Sequence, residues 1–212
     1  MKKIILLGAT SNISKYLIPM LLNETNYEIT LFARAANSRL SKYSDKPRIT
    51  LTDGDWNDQL VLNDAISGND IVYLATGHFI DANQNVIQAM KNNNVKRLIV
   101  AGGLGIYDEV TGKFGKWNAQ MMGNYTIIKQ AAAVIDKSDL EYTFLRMSWL
   151  YNQDDNFKYQ IVPKGQPIKG TQVTRQAIAK LVTDIVKNPN LYKYQSIGVV
   201  EPNTEWDKPS FY

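Results

Sequence analysis

The stretch MKKIILLGATSNISKYLIPMLL, Met1 to Leu22, decides how the rest of the chain is read. Lys2 and Lys3 lead into the apolar run Ile4-Ile5-Leu6-Leu7, which stops at Gly8. Small and polar residues follow, Ala9-Thr10-Ser11-Asn12-Ile13-Ser14, and then Tyr16, Leu17, Met20 and Leu21 recur at helical spacing. A short apolar run closed by glycine reads as a buried strand, and the periodic stretch after it as an amphipathic helix. The turn between them leaves the first backbone N–H groups of the helix unpaired, at the positive end of its dipole, which suits a phosphate. The expectation is a strand, turn and helix that hold the pyrophosphate of a dinucleotide. Of the three glycines in a G-x-x-G-x-x-G turn only Gly8 is present, with Ser11 and Ser14 at the other two positions.

Working outward, strand and helix signals alternate. Tyr27 to Ala33, Arg48 to Thr52, Asp70 to Ala75, Lys96 to Ala101, Tyr142 to Met147 and Gln195 to Val200 read as strands. Asn57 to Ile66, Asp81 to Lys91, Asn118 to Asp136 and Thr174 to Lys187 read as helices, while Arg39 to Tyr43 is ambiguous and Ile106 to Lys116 reads as a loop. Strands separated by helices predict an α/β fold, a Rossmann-type doubly wound parallel sheet with helices on both faces. The whole chain, 1–212, is expected to form one such domain, with a small C-terminal substrate side made by about 149–172 and 201–212. Ligands of such sheets bind beyond the carboxyl ends of the strands, near the point where the strand order reverses. That directs attention to Gly8 through Ile13, Arg34, Asp55, Ala75 through His78, and Ala101 through Gly105.

Composition narrows the chemistry. The chain has no cysteine and one histidine, His78, which removes disulfides, thiolate nucleophiles and any cysteine- or histidine-rich metal centre. A net charge of +4 spread without long like-charged runs argues against a nucleic-acid face. No apolar run approaches a membrane span and no cleavable leader follows Met1, so a cytoplasmic location is expected, as a monomer or homodimer acting on a small molecule.

Several pieces together resemble the NmrA-like, NAD(P)H-binding group of atypical short-chain dehydrogenases/reductases. Gly8-Ala9-Thr10 is similar to the family's GAT turn, and Leu31-Phe32-Ala33-Arg34 to its second strand. Gly54-Asp55-Trp56-Asn57-Asp58 resembles its G-D-x-x-D segment, and Asp70-Ile71-Val72-Tyr73 its fourth strand. Leu140 through Arg146 resembles the L-D-Y-T-I-L-R strand, and Val173 through Ala179 the I-S-R-x-D-V-A helix start, with Ala177 in place of the acid. The resemblance implies a bound nicotinamide dinucleotide held by Gly8, Thr10, Ser11, Asn12, Ile13, Arg34, Asp55, Ala75, Thr76, Gly77 and Lys129.

The individual residues refine that expectation. Serine at 11 and 14 is small enough to keep a tight turn; Ser11 either donates to a phosphate oxygen or simply caps the helix. Arg34 stands where NAD-preferring folds place an acid for the ribose hydroxyls. A guanidinium there pairs with a 2′-phosphate through two hydrogen bonds, which favours NADP(H), with Arg39 and Lys42 as helpers. Asp55 either meets the adenine or caps the next helix. Tyr125 and Lys129 form the Y-x-x-x-K pair of the reductases, expected on one helical face with the ammonium drawing the phenol pKa down for proton transfer. The family's serine after the fifth strand is missing, because Ala101, Gly102 and Gly103 stand there. Tyr125 is therefore either a proton donor or a packing aromatic. His78 is either a structural histidine or a catalyst, and Tyr107, Trp117, Trp149 and Tyr151 are candidates for an apolar substrate wall. Two functions follow: a reductase of small carbonyl or quinone-like compounds, or a regulator that binds NADP(H) without turnover.

Overall fold

The computed structural model describes all residues, 1–212. The first strand, β1 (Lys3–Leu7), is followed by α1 (Ser14–Glu24), β2 (Glu28–Ala33), the short α2 (Ala36–Arg39), β3 (Ile49–Asp53) and α3 (Gln59–Ile66). The chain then crosses back through β4 (Ile71–Leu74), α4 (Ile80–Asn92) and β5 (Arg97–Gly103). Next come α5 (Gly112–Met122), α6 (Thr126–Asp136) and β6 (Glu141–Met147). Three short strands, β7 (Trp149–Tyr151), β8 (Gln160–Val162) and β9 (Gln172–Thr174), precede α7 (Arg175–Lys187) and β10 (Gln195–Val200). Eight strands form one sheet in the order β3-β2-β1-β4-β5-β6-β10-β8, and β7 pairs with β9 apart from it. Every pairing in the large sheet is parallel except β8 against β10 at the edge.

Strand alternation explains the two cores. Ile4 and Leu6 of β1 face one layer with Leu17, Ile18 and Leu21 of α1 and Ile178, Leu181 and Ile185 of α7. Ile5 and Leu7 face the other, with Leu62 and Ile66 of α3 and Val86 and Met90 of α4. A strand covered on both faces has no polar side to show, which is why β1 is uninterrupted Ile and Leu. Burying each such side chain contributes about 1.5–3 kcal/mol relative to leaving it in water.

The expected helix over Asn118 to Asp136 is two helices. Gly123 turns left-handed at φ 63°, and Asn124 Oδ1 accepts from Thr126 N at 2.8 Å to start α6. The apolar spacing of Met121, Met122, Tyr125 and Ile128 runs straight across this break, so periodicity alone joined what Gly123-Asn124 separates. The expected loop at Ile106 to Lys116 is likewise shorter, because α5 begins at Gly112. No helix is long and apolar enough to cross a membrane.

Candidate functional site

The turn after β1 sits where the strand order reverses, between β2 and β4. Gly8 has φ 88°, and a Cβ there would lie 2.8 Å from Ala75 Cβ at the end of β4, so only glycine fits. The N–H groups of Gly8 and Ala9 both donate to Phe32 O, at 3.0 and 3.1 Å, tying the turn to β2. Ser14 fills the closely packed glycine position at full burial, because its hydroxyl donates to Gly8 O at 3.2 Å. Its N–H donates to Ser11 Oγ at 3.1 Å, so Ser11 caps this turn of the helix. Ser14 gives its hydroxyl proton to Gly8, and its Oγ in turn accepts from the Ser11 hydroxyl at 2.9 Å. The N–H groups of Thr10, Asn12 and Ile13 make no hydrogen bond within the chain. Free donors at a helix N-terminus are the donor set a pyrophosphate needs.

Beside this turn, Gly8, Thr10, Ala33, Arg34, Arg39, Asp55 and Trp56 line a cleft. The Arg34 side chain is 77% exposed, and its Nε lies 3.7 Å from Asp55 Oδ2, so the guanidinium is free to turn toward an anion. Arg39 Nη1 donates to Arg34 O at 3.3 Å, and Lys15, Arg39 and Lys42 border the adjoining groove. Asp55 does not cap α3: Asp58 does, its Oδ1 accepting from Val61 N at 3.2 Å. Asp55 Oδ1 accepts from Asn57 N at 2.9 Å, which holds its loop against the cleft. Past Trp56 the cleft opens into a second groove bordered by Phe79, Ile80 and Ile127.

At the ends of β4 and β5, Gly77 N donates to Ala101 O at 2.8 Å, continuing the ladder past Ala75 and Thr76. Asn83 of α4, fully buried, donates to Gly77 O at 3.1 Å and Ala131 O at 2.9 Å, tying this loop to α6. The missing serine has a steric reason at Gly102, where a Cβ would lie 2.1 Å from the Phe144 ring. At Gly103 a Cβ would approach His78 Nε2 at 3.2 Å. Burial pushes the His78 imidazole pKa down, and its buried Nε2 has no hydrogen-bond partner.

The structure places Tyr125 in the junction ahead of α6, one turn from Lys129, whose N–H donates to Tyr125 O at 2.8 Å. Their side chains take different partners. Lys129 Nζ pairs with Asp108 Oδ1 at 2.7 Å, whereas the Tyr125 hydroxyl accepts from Asn118 Nδ2 at 2.5 Å. The expected lowering of the phenol pKa is corrected: it is raised, first by burial, with the Asn118 hydrogen bond opposing and the Glu109 charge adding to it. Tyr125 is a neutral phenol at pH 7.

Glu109, Arg146, Asn118 and Trp56 are site neighbours that no spacing in the sequence singled out for this role. Arg146 Nη1 and Glu109 Oε1 lie 3.0 Å apart with side chains 0% and 4% exposed. Glu109 also accepts from Gly105 N at 3.0 Å and Tyr107 N at 2.8 Å, so one carboxylate shapes the loop after β5. Trp117, Trp149 and Tyr212 form an edge-to-face cluster with centroids 4.9 to 5.2 Å apart. Tyr151 lies outside that cluster, stacked on Phe211, and Tyr107 instead donates its hydroxyl to Asp136 Oδ2 at 2.6 Å.

The sheet order and the free turn together define a dinucleotide-binding α/β protein. The chain belongs to the NAD(P)H-binding family whose model matches residues 8–189. A short-chain dehydrogenase/reductase (wide type) from Veillonella parvula, solved in complex with NADP, is 30% identical with a TM-score of 0.94, covering 99% of each chain. A Rossmann-fold NAD(P)-binding family protein from Shigella flexneri is 32% identical with a TM-score of 0.82, covering 100% of each chain. An anaerobillin reductase from Escherichia coli O157:H7 shares the fold at 19% identity and a TM-score of 0.75, covering 95% of this chain and 98% of its own. No curated protein matches the sequence.

Proposed function

We propose that this protein is an NADP(H)-dependent reductase of a small carbonyl or quinone-like compound. The observation that carries the cofactor choice is Arg34, exposed at the end of β2 beside a turn with three unpaired N–H groups. Thr10, Asn12 and Ile13 would hold the pyrophosphate through those N–H groups, with the Ser11 hydroxyl beside them. Arg34, helped by Arg39, would hold the 2′-phosphate by charge-assisted hydrogen bonds. Gly8 lets the backbone approach, and Asp55 borders the adenine side. The Ala75, Thr76 and Gly77 segment borders the nicotinamide side, and the complex of the Veillonella relative with NADP supports this reading. When bound, the reduced nicotinamide supplies a hydride to the carbonyl carbon. Tyr125 gives its phenolic proton to the carbonyl oxygen and regains one from solvent, so the products are an alcohol and the oxidised cofactor. Lys129, paired with Asp108, would contact the ribose.

The Lys129–Asp108 pair and the glycines at 102 and 103 favour a second reading, a protein that binds NADP(H) without turnover. NADPH oxidation measured over a panel of quinones and aldehydes separates the two. The expected result is turnover that falls about 100-fold or more in Tyr125→Phe. A rate unchanged by that substitution removes Tyr125 from the chemistry, and NADPH binding with no turnover across the panel supports the second reading.

A further inference from the structure

We propose that Trp149 and Asn118 are positioning residues that hold Tyr125 as a one-way proton donor, so that the ligand beside it must present an acceptor oxygen. The proposal rests on Tyr125 as the proton donor of the reading above. Its direction comes from the indole at the start of the chain of contacts. An indole N–H can only donate, and Trp149 Nε1 donates to Asn118 Oδ1 at 2.8 Å. That contact settles which way the amide points, since the reversed amide would set two donors against each other. The NH2 end therefore faces Tyr125, and an amide NH2 also only donates. The phenol oxygen has to accept this bond, made at 2.5 Å. Asn118 is 2% exposed, so water does not offer it another arrangement.

The consequence lies in the remaining proton. The Tyr125 hydroxyl takes part in no other hydrogen bond within the chain, so its O–H is left for something outside it. A second side of the phenol is closed by backbone. Gly105, at φ 86°, is so near that a Cβ would lie 2.8 Å from the hydroxyl oxygen. The Gly105 loop is in turn set by its N–H bond to Glu109, which the buried Arg146 anchors. The phenol is therefore fixed by an amide on one side and a glycine on another, with its donor free. A ligand group that can only donate, such as an ammonium, cannot use that O–H; a carbonyl or quinone oxygen accepts from it. As the proton leaves, the Asn118 N–H bond strengthens onto the developing phenolate, which is where that bond aids the transfer.

The polarity can be read without turnover. The tyrosine Raman Fermi doublet reports by its intensity ratio whether a phenol accepts or donates, and the difference between wild type and Tyr125→Phe isolates this one. The wild-type protein is expected to show a phenol that accepts from Asn118 while its own O–H donates to water. Asn118→Asp keeps the size but replaces the donor with an acceptor, and should convert the signal to that of a phenol that only donates. Trp149→Phe releases the other end of the amide and should weaken the accepting signature while leaving NADPH affinity unchanged. A phenol that only donates in wild type, or a signal indifferent to Asn118→Asp, overturns the proposal. The reductase reading is tested separately in the same variants: Asn118→Asp should lower carbonyl reduction about 100-fold, with the KM for NADPH unchanged. Absence of turnover in wild type removes that reading, while the spectra still decide the polarity.

Discussion

After β1, the N–H groups of Thr10, Asn12 and Ile13 point out of the chain with no partner of their own. After β5, the N–H groups of Gly105 and Tyr107 point at Glu109, whose carboxylate is paired with Arg146. Both are strand-end turns rich in backbone donors. The first leaves its donors unpaired, as the proposed pyrophosphate site requires, and its cation, Arg34, is exposed. The second supplies its own anion and buries the cation. A turn built to bind is left polar and unfinished, whereas one built to position a neighbouring side chain closes on itself. On the proposed reading, the carboxyl ends of the strands carry a cofactor cradle at one turn and a fixed seat for Tyr125 at another.

Breaking the closed turn should have the larger effect on stability. Arg146→Met leaves the Glu109 carboxylate buried and unpaired, and should cost about 3–5 kcal/mol in urea unfolding. Adding Glu109→Gln to it should recover a large part of that loss, because the uncompensated charge is gone; a double variant as unstable as the single one would show that packing, not charge, dominates. The open turn should respond weakly. Ser11→Ala removes the acceptor for Ser14 N and should cost about 0.5–2 kcal/mol. NADPH should still bind, because the three free N–H groups belong to the backbone. Loss of measurable binding in Ser11→Ala would move the phosphate contact from backbone to hydroxyl.

Legibility in the sequence follows the same divide. The central strands of the parallel sheet were the most readable, because burial on both faces demands short unbroken apolar runs such as Ile4 to Leu7 and Leu98 to Ala101. The strand, turn and helix of the proposed cofactor site were readable because they are local: Gly8, the two serines and the helix pattern fall within a few residues, and Arg34 follows the next strand. The seat of Tyr125 was not. Its parts are distant in sequence, Glu109 with Arg146 and Asn118 with Trp149, and each residue type is common at surfaces. The break at Gly123-Asn124 was masked by apolar residues that kept helical spacing through it. The charge effect of Lys129 on Tyr125 failed as an expectation because Asp108, brought in by the loop after β5, takes the ammonium first. The edge strand β8 is short and antiparallel, and neither property leaves a pattern in Gln160–Val162.

The proposed preference for NADP(H) depends most directly on Arg34. Calorimetric titration of the wild-type protein and of Arg34→Glu, each with NADPH and with NADH, measures what the exposed guanidinium contributes. The wild type should prefer NADPH by about 10-fold or more, as expected for charge-assisted pairing of a guanidinium with a phosphate. Arg34→Glu should invert that order while leaving urea stability within about 0.5 kcal/mol, because the side chain is exposed. Equal affinities of the wild type for NADPH and NADH, or a preference untouched by Arg34→Glu, would contradict it.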